Sequence, residues 1–276
     1  MNIGIVGLGL MGGSLGLALK KFGEKYHVIG YDHNPSHQKE AQELKLVDEV
    51  TQNFETIKTC DVIILAIPVD AIIQTAQSLQ DVSKRTTIID FGSSKAKIDE
   101  NIPPAIRENF VTAHPMTGTE KFGPTAAIEG LYEDKTMVVC NPQKSGKLQR
   151  DTAMQLFEDI HANVVFMDAK EHDRHAAFIS HMPHAVSYAI ANSVMEQEDS
   201  ENIVALAGGG FKSMSRIAQS SPTMWEDIFR QNKENLLESI ESFNKEMHHC
   251  QQLIEEERWE ELHRWMLKAN SLHDIL

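Results

Sequence analysis

The chain is short of cysteine, short of positive charge and without a long apolar run. Its three cysteines, Cys60, Cys140 and Cys250, lie far apart, with no metal or redox spacing between them. So sparse and odd a count excludes a disulfide-stapled scaffold and fits a reducing cytoplasm. No apolar stretch approaches the ~18 residues that a membrane-spanning helix needs, so no membrane association is expected. The N-terminus enters a strand pattern at once, and no signal peptide is expected. Lys and Arg number 26 against 40 Asp and Glu, a formal net charge of −14. That sign disfavours nucleic acid and anionic membranes as partners. It leaves open an anionic small molecule held in a locally basic pocket. The rest of the composition is that of an ordinary globular protein, 41% hydrophobic and 24% charged over 276 residues. Such a length holds a nucleotide-binding domain and a smaller partner.

Residues 2–6, Asn-Ile-Gly-Ile-Val, read as a buried parallel strand. Gly7-Leu8-Gly9-Leu10-Met11-Gly12 follows as a G-x-G-x-x-G and runs into a helical pattern. In that motif one glycine permits the tight turn and a second lets backbone approach a diphosphate. A third lets helix pack on strand, and the anion rests on the helix N-terminus. A second strand, residues 27–32, ends on Asp32, 20 residues after Gly12. A carboxylate there accepts hydrogen bonds from an adenosine ribose and repels a 2′-phosphate, which favours NAD over NADP. The alternative for Asp32 is a cap on the helix that begins near Pro35.

Strand and helix patterns then alternate. Residues 61–68 form a strand that ends at Ala66-Ile67-Pro68, and residues 69–79 an amphipathic helix. Residues 86–90 form the next strand and lead into Phe91-Gly92-Ser93-Ser94-Lys95. Residues 110–113 precede His114-Pro115-Met116-Thr117-Gly118-Thr119-Glu120-Lys121, where Pro115 and Gly118 break regular structure. Residues 136–140 and 163–167 are the last strands, linked by a helix over about 145–161. This alternation predicts a Rossmann-type α/β domain with a parallel sheet over residues 1–168. Ligands bind beyond the carboxyl ends of such strands. Gly7 to Gly12, Ala66-Ile67-Pro68, Ser93 and His114 share that address. Ser93 has a second reading as the cap of a helix at Lys95.

After Asp168 the β pattern stops, and residues 169–276 are predicted to form an all-α domain. Four histidines fall within thirteen residues, His172, His175, His181 and His184. No metal site is expected, because the cluster lacks cysteine and Pro183 disrupts the helix that would present His181 and His184 together. A kinked helix facing the domain cleft is expected instead. Gly208-Gly209-Gly210 follows no strand and reads as a turn between helices. Arg216 stands among small and polar residues, which suits a carboxylate in a cleft. The segment from Glu226 to His273 carries two long amphipathic helical patterns that suit core packing or a dimer interface.

Taken together, these motifs resemble the prephenate dehydrogenase family, roughly end to end. The specific ones are residues 90–95, residues 114–121, Ser180-His181-Met182-Pro183-His184-Ala185, Arg216-Ile217-Ala218 and Pro222-Thr223-Met224-Trp225. The resemblance implies NAD-dependent oxidative decarboxylation of prephenate to 4-hydroxyphenylpyruvate, in tyrosine biosynthesis. It implies His114 as general base and Ser93 as the residue that orients His114 and the nicotinamide. Arg216 would hold a substrate carboxylate, with Thr119, His172, His181 and His184 shaping the pocket. It implies a homodimer through the helical domain. The pattern departs at Ser213, where the family places an aspartate three residues before the arginine. Three rival readings share parts of the pattern: arogenate dehydrogenase, a β-hydroxyacid dehydrogenase and a non-catalytic NAD-sensing protein. The second resembles a lysine-based site in its helical domain, and the third would bind NAD without turnover.

Overall fold

The computed structural model describes residues 1–275, and among them eight strands form one sheet. They are β1 (Asn2–Val6), β2 (His27–Tyr31), β3 (Glu49–Val50), β4 (Val62–Leu65), β5 (Thr87–Asp90), β6 (Phe110–Pro115), β7 (Thr136–Cys140) and β8 (Asn163–Met167). The spatial order is β3-β2-β1-β4-β5-β6-β7-β8, so the chain reverses its direction of travel between β1 and β4. A crevice opens at such a switch point beyond the carboxyl ends of the strands. The six strands from β3 to β6 are parallel, as expected. β7 departs from that expectation: it pairs antiparallel with β6, Pro115 beside Met137, and β8 runs parallel to β7. An apolar run encodes burial but carries no sign of its direction.

Side chains alternate between the two sheet faces with a period of two. Ile3, Ile5, Ile64, Ile89 and Val111 join one apolar core, while Ile63, Leu65, Ile88 and Phe110 join the other. The helices that cover the faces are α1 (Leu10–Lys20), α2 (Pro35–Glu43), α3 (Phe54–Lys58), α4 (Val69–Ser78), α5 (Ala96–Asn101) and α6 (Lys147–Asp159). Leu15 and Leu19 of α1 and Leu156 and Phe157 of α6 fill the first core. Ile57 of α3, Ile72 and Ala76 of α4 and Ile98 of α5 fill the second.

The remaining helices are α7 (Ala169–Ala176), α8 (Met182–Met195), α9 (Ser200–Ala205), α10 (Gly209–Ser215), α11 (Pro222–Gln231), α12 (Lys233–Glu255) and α13 (Trp259–Asn270). Asp168 caps α7 by accepting hydrogen bonds from the N–H groups of Lys170 and Glu171. The regular α-helical path is interrupted just before Pro183. A π-helical turn, Ala177–His181, joins α7 to α8, and Pro183 sits within the first two positions of α8. The wider turn relieves the clash between a proline ring and the carbonyl one turn back.

The sheet and α7 to α11 pack as one compact unit, Met1–Asn232, and a second unit begins at Lys233. Within the second unit α12 and α13 touch, and the Trp265 indole donates to Glu246 at 2.7 Å. Among the described residues no helix is long and apolar enough to cross a membrane.

Candidate active site

The glycine-rich turn separates into glycines that the fold requires and one that it does not. Gly7 has φ +94°, and a Cβ there would lie 2.3 Å from the Ala66 carbonyl oxygen. A Cβ on Gly12 would lie 1.9 Å from the Gly7 carbonyl oxygen. Both positions must be glycine for β1, β4 and α1 to close on one another. Gly9 differs: an added Cβ would meet only the Gly123 nitrogen, at 3.9 Å, and its φ of −76° suits any residue. The protein does not need a glycine there, whereas a diphosphate approaching the backbone does. Gly9 also precedes α1 with no side-chain cap, so the N–H groups of the first turn face that space with the helix dipole behind them.

Asp32 is buried and firmly held. Its Oδ2 accepts from the Leu8 N–H at 2.9 Å and its Oδ1 from the Asn34 N–H at 2.9 Å. It does not cap α2; Asn34 does that through the Ser36 N–H. Asp32 therefore pins the glycine-rich turn from the end of β2. The Leu8 side chain is buried in the core, and Leu10 and Met11 pack against the same core. Ala66 donates to the Val6 carbonyl at 2.8 Å and carries Ile67 and Pro68 to the crevice edge. The cradle fits a dinucleotide. Gly9→Ala is expected to leave thermal stability unchanged and to raise the KM for NAD at least ~10-fold. One hydrogen bond to a charged group is worth about 1.5–3 kcal/mol, and ~1.4 kcal/mol is a decade. Paired melting curves and saturation kinetics check it; an unchanged KM would move the diphosphate elsewhere.

At the end of β6, two layers of contacts place His114. The buried Lys95 ammonium bonds the Asp90 carboxylate and donates to the Ala113 carbonyl at 2.7 Å. Asp90 in turn accepts from Gly92 N–H at 3.1 Å and Ala113 N–H at 3.3 Å. The residue before His114 is thus clamped at both its backbone groups. The His114 ring meets His172, Nδ1 to Nε2 at 2.8 Å, edge to face. His172 Nδ1 lies 2.8 Å from Asp173 Oδ1. Asp173 also accepts from the backbone N–H groups of Lys95 at 2.7 Å and Ala96 at 2.9 Å, which open α5. Burial pushes the His114 imidazole well below its ordinary 6.5, and the Lys95 ammonium nearby and the crowding of other imidazoles work in the same direction. The ring is neutral at neutral pH, the form a general base needs.

Ser93 sits half-buried in the turn between β5 and α5. It neither caps α5 nor bonds His114. The cap comes from Asp173, and the hydrogen bond that orients His114 comes from His172.

The other expected pocket residues divide into open and closed ones. His172 is 2% exposed, with both ring nitrogens engaged by His114 and Asp173. His181 is 1% exposed and bonded to Asn232 at 3.1 Å, so it too supports the site from behind. Burial lowers its pKa to about 4. His184 stacks on Trp225 at 3.5 Å, with Nδ1 2.9 Å from the Ser180 carbonyl. Its Nδ1 is the donor there, which leaves Nε2 to accept. Thr119 and Glu120 stand on the loop after His114. Thr119 Oγ1 accepts from Lys121 N–H at 3.2 Å. Arg216, more than half exposed, bonds Glu120 at 2.8 Å within the same chain, with Ser213 taking no part. Asp173, Asp90 and Asn232 carry structural weight in the site and were not singled out from sequence. The one local signal was the pairing of Asp90 and Lys95 across a five-residue turn.

A doubly wound sheet, a glycine turn opening a helix, an acidic residue closing β2 and a neutral imidazole at a neighbouring strand end define a dinucleotide-dependent dehydrogenase. The family model for the prephenate dehydrogenase nucleotide-binding domain matches residues 15–166, and that for the prephenate dehydrogenase dimerization domain matches residues 168–268. The chain belongs to the prephenate dehydrogenase family, and its cofactor is NAD. It is 33% identical to the prephenate dehydrogenase of Bacillus subtilis, over 99% of this chain and 75% of that one. A solved prephenate dehydrogenase of Aquifex aeolicus, in complex with hydroxyphenyl propionate and NAD⁺, superposes with TM-score 0.91 at 34% identity. It covers 99% of this chain and 97% of its own. The arogenate dehydrogenase of Synechocystis superposes with TM-score 0.81 at 28% identity over 99% of both chains.

Proposed function

We propose that His114 is the general base of this chain's reaction, the NAD-dependent oxidative decarboxylation of prephenate to 4-hydroxyphenylpyruvate. The observation that carries this reading is a neutral imidazole beside the cofactor crevice with Nδ1 already engaged by His172. Nε2 remains to accept the proton of the substrate's C4 hydroxyl. NAD, when bound, takes the hydride from C4. The ring carboxylate leaves as carbon dioxide, and its bonding electrons complete the aromatic ring. Ser93, half-buried at the next strand end, lines the nicotinamide side. His184 offers Nε2 and Thr119 its hydroxyl to the substrate.

Arg216 supplies the cation for a substrate carboxylate, and the Glu120 bond presets its guanidinium until substrate competes for it. Arg216→Ala is expected to raise the KM for prephenate about 10- to 100-fold, the worth of a hydrogen bond to a charged group. The partial exposure of the arginine places the effect toward the lower end. Arg216→Lys recovers part of the loss. A folded Arg216→Ala enzyme with unchanged prephenate KM would assign the anchor to another cation.

The similarity to an arogenate dehydrogenase favours one second reading, the same chemistry on an amino-acid side chain. Absorbance at the NADH wavelength decides between them, with prephenate and then arogenate as substrate and with NAD and NADP in turn. The dimerization-domain match and exposed apolar residues such as Leu237, Met247, Ile254 and Leu267 support a homodimer through the helical region. The three free cysteines support a cytoplasmic setting.

A further inference from the structure

The contacts behind His114 have a direction. A carboxylate only accepts, so the His172 nitrogen 2.8 Å from Asp173 Oδ1 is the one that carries hydrogen. In a neutral ring the other nitrogen, Nε2, is then an acceptor. It lies 2.8 Å from His114 Nδ1, which must donate to it. His114 is left with hydrogen on Nδ1 and a bare lone pair on Nε2.

We propose that Asp173 and His172 are positioning residues that lock His114 in the tautomer whose Nε2 accepts the substrate proton. The proposal rests on the reading of His114 as general base. Asp173 itself is 3% exposed and cannot swing away. Backbone N–H groups of Lys95 and Ala96 hold its two oxygens, and its own carbonyl accepts from Asn232 at 2.6 Å. The same carboxylate thereby joins α7 to the turn that bears Ser93, so ring orientation and crevice geometry are set by one group. When His114 takes the proton its Nδ1–H keeps its partner, and the new charge faces a chain that ends on a carboxylate. A protonated His172 would reverse this chain, donate from Nε2 and leave His114 with hydrogen on the wrong nitrogen.

The test is the ¹⁵N spectrum of the histidine-labelled full-length protein near neutral pH, without substrate, in wild type and in Asp173→Asn. Imidazole ¹⁵N shifts distinguish a protonated from a bare ring nitrogen. The expected wild-type result is a protonated Nδ1 and a bare Nε2 on His114. In Asp173→Asn the two tautomers should mix, and kcat should fall about 10- to 100-fold, the usual size of losing a residue behind a functional ligand. A bare Nδ1 on wild-type His114 would overturn the proposal. So would an Asp173→Asn protein with wild-type shifts and wild-type kcat. His172→Phe, which fills the ring space without an acceptor, should mix the tautomers in the same way. Absence of prephenate turnover by the wild type would sink the functional reading alone, because the spectrum judges the tautomer without substrate.

Discussion

His114→Asn is expected to lower kcat roughly 10²–10⁴-fold, the usual contribution of a general base, with NAD binding nearly intact. Asparagine can still accept one hydrogen bond but cannot take a proton. Dinucleotide affinity survives because Gly9, Asp32 and the start of α1 lie on other strand ends. The pH profile should carry the signature of burial. A depressed pKa means that the base stays neutral through its ordinary 6.5, so wild-type kcat/KM should fall only at more acidic pH. Stability follows the same sign. Between the folded pKa and 6.5 the unfolded chain binds a proton that the folded chain refuses, so stability present above 6.5 is lost as pH falls. His181, with a folded value of about 4, adds a loss of its own between 6.5 and about 4. His114→Asn should therefore melt closer to its neutral-pH temperature in acid than the wild type does. Steady-state rates across pH and paired melting curves measure both effects; a mutant with near wild-type kcat would remove His114 from the chemistry.

Lys95→Met is expected to destabilise the protein by about 3–5 kcal/mol, the typical cost of orphaning a buried ion. Both members of the Lys95–Asp90 pair are fully buried. Burial alone drives the Asp90 carboxyl upward, and the Lys95 ammonium is the main opposition to it. Removal of the ammonium leaves a carboxyl with only the Gly92 and Ala113 N–H groups, and frees the Ala113 carbonyl next to His114. Activity should fall together with stability. Adding Asp90→Asn removes the orphaned charge and should return part of the lost stability. Urea unfolding of the single and double variants decides it; a loss below about 1 kcal/mol for Lys95→Met would mean that Asp90 does not depend on its partner.

The strand ends were legible because apolar runs, glycines and prolines are local signals. Gly7, Gly9 and Gly12 look alike in the sequence. Only the folded chain shows that two of them are closed by the Ala66 and Gly7 carbonyls and the third faces open space. Asp173 was passed over because it caps residues 77 and 78 positions away, and no periodicity reports such a partner. His172 was assigned to the substrate because residue type shows that an imidazole is present. It does not show that both nitrogens are occupied.

The sequence by itself determined the alternation of strands and helices, the glycine turn, the acidic end of β2 and the presence of His114 and Arg216 in their loops. Each of these follows from a rule that acts over a few residues: side-chain period, backbone freedom or the position of a charge after a strand. The tertiary structure alone decided the antiparallel entry of β7, the π turn that carries the chain into Pro183, and the pairing of Arg216 with Glu120 in its own chain. It also decided which histidines face the crevice and which support it from behind. Burial and hydrogen-bond occupancy belong to what surrounds a residue, and those surroundings are assembled from segments far apart in the chain.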